Sequence, residues 1–61
     1  MATADDYAVG TSAALTVEAQ IIKAKGIPSF LVPSQDVLEG YAAQVAKAVI
    51  DAVDAQRAQR S

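Results

Sequence analysis

Two prolines, Pro28 and Pro33, place the strongest constraint on this chain. Each removes a backbone N–H and biases the residue before it, Ile27 or Val32, away from the α region. No helix runs undisturbed through such a pair, and a central strand would lose ladder hydrogen bonds. The stretch Gly26-Ile27-Pro28-Ser29-Phe30-Leu31-Val32-Pro33-Ser34 therefore divides the chain into two segments. It is also too apolar for a solvated connector: Ile27, Phe30, Leu31 and Val32 all fall within it, including the only phenylalanine in the chain. The prolines predict an extended path here, with Phe30 and Leu31 pointing to different sides.

The segment after the break reads as a helix over residues 34–59. Ser34 suits the N-cap, Asp36 and Glu39 lie near the positive dipole end, and Arg57 and Arg60 lie at the negative one. Leu38, Tyr41, Val45, Ala48, Ala52 and Ala55 follow a 3,4 spacing, widened by Val49 and Val53. Glu39, Gln44, Lys47, Asp51 and Asp54 occupy the other side, with Lys47 and Asp51 spaced to pair at i,i+4. Gly40 weakens the helix by about 1 kcal/mol relative to Ala and leaves room for a close backbone approach near Tyr41. Large residues give way to Ala along the stripe, so it is no sustained coiled-coil seam.

The segment before the break is more ambiguous. Alanines, two late lysines (Lys23 and Lys25) and Gly26 in the C′ position predict a helix over residues 11–25, capped by Thr11 or Ser12. Against this, Leu15, Val17, Ala19 and Ile21 alternate with Thr16, Glu18 and Gln20, the period of a half-buried strand. The alternative is thus a short β-hairpin over residues 15–32 followed by one long helix. A helix would also carry Glu18 into its apolar arc. Asp5 or Asp6 could cap an earlier start, but Gly10 argues against continuing through it. Residues 1–10 are therefore expected to form an N-terminal arm whose Tyr7 and Val9 dock elsewhere. The expected fold is all-α, two helices joined by an extended, apolar, proline-bounded linker. A nine-residue connector is long for a tight αα-hairpin and would allow the helices to splay.

Size then decides what such a hairpin can do alone. A chain of 61 residues buries only roughly 60% of its unfolded surface. Without Cys or His, neither disulfides nor the usual zinc sites can supplement the core. Hydrophobic residues make up 52% of the chain, but 14 of them are alanines, which favour helix and bury little area. Close helix contacts, or a core completed by another chain, follow from that imbalance.

The chemistry expected is correspondingly spare. Without His or Cys the common acid–base and nucleophile pairs are missing, and no glycine-rich phosphate loop occurs. Asp51 and Asp54, at i,i+3, could be imagined around a hard cation, though a solvated face accounts for them. No catalytic residue, cofactor or metal is expected. The net charge of −2 opposes a nucleic-acid footprint. No apolar run reaches the roughly 20 residues of a membrane span, and no charged and apolar leader of the secretory kind is seen. These features point to the cytoplasm or the interior of a larger particle.

The functional expectation is a small, non-enzymatic structural or interaction subunit of a protein assembly, such as a virion, filament or multisubunit complex. Its partners would be other protein subunits, in a homo- or hetero-oligomer. The residues expected to meet them are Ile27, Phe30, Leu31, Val32, Leu38, Tyr41 and Val45, with Phe30 as anchor. The competing role for the linker is a hydrophobic staple, with Val32 and Leu31 folding back on Leu38. A soluble helical-hairpin adaptor or regulator, or an accessory subunit of an enzyme complex, is the alternative.

Overall fold

The first helix begins at Thr3. In the computed structural model, which describes residues 1–60, its side chain accepts from the Asp6 N–H (3.3 Å) while the Asp6 carboxylate accepts from the Thr3 N–H (2.9 Å). This reciprocal capping box satisfies two otherwise orphaned donors. Helix α1 then runs over Ala4–Lys25 and stops at Gly26, whose φ of 63° and ψ of 36° are left-handed. The Gly26 N–H donates to the Lys23 carbonyl and the Ile27 N–H to the Ile22 carbonyl, both at 3.2 Å, the paired bonds of a Schellman C-cap.

The start differs from the expectation. Residues 4–10 belong to the helix and only residues 1–3 precede it, so most of the expected arm is helical. Gly10 does not break the helix because its missing side chain is used. A Cβ there would stand 3.0 Å from Ile50 Cδ1 and 3.2 Å from Ala46 Cβ. The conformational weakness of glycine is offset by the close packing of two helices at that point. No strand occurs among the described residues, so the β-hairpin alternative is set aside.

The linker keeps the extended geometry its prolines impose only at its ends. Pro28 (φ −60°, ψ 146°) and Val32 (φ −78°, ψ 128°) are extended, whereas Ser29–Leu31 form one turn of 3₁₀ helix. The Leu31 N–H donates to the Pro28 carbonyl (2.9 Å) and the Val32 N–H to Ser29 (3.2 Å). Only Ile27 and Val32 feel the pre-proline restriction. Ser29, Phe30 and Leu31 do not, and hydrogen bonding folds them. The expected fully extended path is corrected accordingly.

Helix α2 covers Gln35–Arg60. Ser34 begins it, its hydroxyl accepting from the Val37 N–H (3.4 Å) and its carbonyl from the Leu38 N–H (3.0 Å). The two helices lie antiparallel along one another rather than splaying: Ala2 meets Asp54, Tyr7 meets Asp51, and Gly10 meets Ala46 and Ile50. Alanines make the approach close. Ala42 and Ala46, at 0% and 4% exposure, form the whole buried core of the described residues. Leu38 and Ile50 continue this i+4 row as half-buried residues, and Gly10, Ala14, Glu18 and Ile22 form a half-buried i+4 row on α1. The result is a single layer of two helices, with Cα extents of 47 × 19 × 12 Å.

Candidate interaction surface

Of the residues expected to meet partners, four are on the linker. Phe30 is 83% exposed at the tip of the hairpin and Leu31 is also exposed. Ile27 and Val32 are half-buried. The division follows the backbone: Phe30 and Leu31 lie in the 3₁₀ turn, and Ile27 and Val32 lie outside it. Leu38 is half-buried at the base of α2. The outward position of Leu31 removes it from the expected staple.

Tyr41 and Val45 stand on α2, 56% and 53% exposed. They lie in a longer row, Val37, Tyr41, Val45, Val49 and Val53, that sits one residue ahead of the packed row from Leu38 to Asp54. Strict i+4 spacing keeps both rows continuous. The sequence stripe centred on Tyr41 and Val45 is thus real, but it lies on one side of the hairpin and not in the contact with α1. The helix–helix contact uses Leu38, Ala42, Ala46 and Ile50 instead. Ala46 lies directly against Gly10, where the close approach of the backbones leaves room for a methyl, with the Ile50 side chain beside it.

The opposite edge of the hairpin is polar. The Tyr7 hydroxyl donates to Asp51 Oδ1 at 2.5 Å, and the Lys47 ammonium donates to Asp51 Oδ2 at 2.5 Å. The ammonium also lies 5.8 Å from the Tyr7 ring centroid, within cation–π range. Lys47, followed by Tyr7, holds the Asp51 carboxyl below its ordinary range through these hydrogen bonds. The same bonds push the Tyr7 phenol and the Lys47 ammonium up. Asp54 accepts from the Ala2 N–H at 2.9 Å. Asp51 and Asp54 therefore clamp the open end of the hairpin. Among the described residues no group of three or more acidic, His or Cys side chains could hold a metal ion.

The Lys47–Asp51 pair is visible in the sequence spacing, but its link to Tyr7 is not, because 44 residues separate Tyr7 from Asp51. A polar tip on an otherwise apolar side chain near the chain start is the only sequence hint. Two shallow grooves flank the helix contact. One is lined by Met1, Asp6, Val49 and Val53 among others, the second by Ala8, Ser12, Leu15, Glu39 and Ala43. Among the described residues no helix is long and apolar enough to cross a membrane. No protein-family model, curated protein or solved structure matches this chain.

Proposed function

We propose that this protein is a non-enzymatic structural or interaction subunit that is completed by other protein chains. One observation carries the reading. The buried core of the described residues is two alanines, while Phe30, Leu31, Tyr41, Val45 and six further large apolar side chains within residues 1–60 remain largely exposed, besides Met1. Burial of alanine methyls stabilises a fold little, at about 25 cal/mol per Å² of apolar area removed from water. The tip residues Phe30 and Leu31, flanked by Ile27 and Val32, and the exposed α2 positions Tyr41 and Val45 form the contact, with Leu38, half-buried against α1, at its edge.

Native mass spectrometry of the protein from its source tests this directly, since it reports copy number and companion chains together. The expected result is an assembly. A free monomer with a sharp, concentration-independent unfolding transition would overturn it. A second reading, a soluble hairpin adaptor or regulator, is favoured by the single exposed Phe30 at the tip. In that role Phe30→Ala abolishes capture of the partner and leaves helicity unchanged.

A further inference from the structure

We infer that the apolar side of the hairpin is covered by a second copy of the same chain, giving a two-fold four-helix bundle. This rests on the subunit reading above and supplies its partner.

The two exposed rows occupy one side of the layer. On α1 the row is Val9, Ala13, Val17 and Ile21, with Asp6 one turn before Val9. On α2 the row is Tyr41, Val45, Val49 and Val53. Each row sits one residue before its helix's packed row, a turn of about 100°. Because the helices are antiparallel, the same turn on each leads to the same side. The groove lined jointly by Asp6, Val49 and Val53 agrees with that placement. The other side carries Ser12, Glu39 and the Lys47–Asp51 pair. The first side is apolar along its middle, with Asp6, Asp54 and Arg57 around its open end, whereas the second mixes Ala8, Leu15 and Ala43 with Glu39 and the Lys47–Asp51 pair.

Three observations select a second copy as occupant. First, a stable domain packs at least two layers around a core, and this chain forms one, 12 Å through its Cα atoms. Second, its accessible surface is 4801 Å², whereas a compact 6.3 kDa protein exposes about 3,700 Å². The surplus, about 1,000 Å² per chain, gives an interface of about 2,000 Å² for a pair, the area of a stable dimer. The radius of gyration, 14.0 Å against about 10.5 Å for one compact chain of this length, reflects the same elongated single layer. Third, the middle of the face, from Val17 and Ile21 across to Tyr41 and Val45, carries no charge, and Asp6, Asp54 and Arg57 lie beyond it around Val49 and Val53. An isologous contact sets each residue against the same patch, so a charge-free face pairs with itself without like-charge repulsion.

Sedimentation equilibrium of the full chain, with circular dichroism at the same concentrations, tests this. The expected result is a mass twice the 6.3 kDa of one chain, with helicity falling as dilution separates the pair. Val45→Asp, in the middle of the face, should weaken association at least 100-fold, while Ser12→Asp on the other side leaves the mass unchanged. Should Val45→Asp also lose helicity, the mass of the unmodified chain still decides the question independently. A monomer with little helicity would overturn the two-fold bundle and leave the subunit reading standing with a different partner. A cooperatively folded monomer would overturn both. Open-ended growth with concentration, or dissociation by Ser12→Asp in place of Val45→Asp, would also refute the two-fold face.

Discussion

Replacing Gly10 and Gly40 separately by alanine tests the helix contact, because both lie inside helices and differ in what surrounds them. Each change should gain about 1 kcal/mol from helix propensity alone. At Gly40 the new methyl meets nothing within 4 Å, so the gain is kept. At Gly10 it meets Ile50 Cδ1 at 3.0 Å and Ala46 Cβ at 3.2 Å. The first neighbour is the end of a flexible side chain and can rotate. The second is attached directly to the backbone, so relief requires the helices to part by a few tenths of an ångström. Overpacking of this kind costs about 1–3 kcal/mol. With a cost of about 2 kcal/mol the net is a loss of about 1 kcal/mol, and the two variants should differ by about 2 kcal/mol.

At about 4–8 °C per kcal/mol for a domain of this size, thermal unfolding followed by circular dichroism should separate their midpoints by about 8–16 °C. Gly40→Ala should lie above the parent protein and Gly10→Ala below it. Chain concentration must be held constant, since association shifts the midpoint. Adding Ile50→Val to Gly10→Ala removes Cδ1 and should recover part of the loss, a favourable coupling that contact between the two positions requires. Equal stabilisation by the two alanines would refute the close approach of α1 and α2 at Gly10.

Other consequences are as specific. Thr3→Ala removes the side-chain half of the capping box and should lower stability by about 1 kcal/mol, with hydrogen exchange in the Ala4–Tyr7 turn rising first. Gly26→Ala forces a Cβ into a left-handed conformation and should cost about 1–2 kcal/mol, read from a denaturant midpoint; a neutral result would show that the Schellman cap is dispensable. The Asp51 cluster contributes a pH dependence at both ends. Its carboxyl is held below the ordinary value of 3.8, so its contribution is present above that value and is lost as pH falls through the lowered one. The Tyr7 phenol and Lys47 ammonium are raised above 10.0 and 10.5, so theirs is complete below those values and is lost as pH rises through the raised ones. Asp51→Asn should flatten stability at both ends of a pH titration, and an unchanged profile would show that the cluster does not contribute to it.

Part of this was legible in the residues alone. Pro28 and Pro33 dictate a break because a pyrrolidine ring acts on its own backbone whatever surrounds it. Ser34 begins α2, Gly26 ends α1, and Lys47 pairs with Asp51, because caps and i,i+4 pairs are local geometry. The alternation from Leu15 to Ile21 misled in the direction of a strand, since the half-buried row of Ala14, Glu18 and Ile22 overlaps it out of phase. Gly10 misled for a different reason: its local penalty is plain, whereas the neighbour that makes it useful lies 36 residues away.

The chain's local chemistry thus decided that two helices form, where α1 ends and α2 begins, and that large side chains are few, whereas the start of α1 at Thr3 depended on the packing of Gly10 against α2. Propensity, capping and proline restriction act within a turn or two, so they are written where they act. Which side of α2 meets α1 was decided only in three dimensions. Tyr41 and Val45 form the larger stripe, yet the contact goes to Ala42 and Ala46, because the small residues opposite Gly10 let the backbones approach. That choice turns the large side chains outward, and with them the surface this protein offers to another chain.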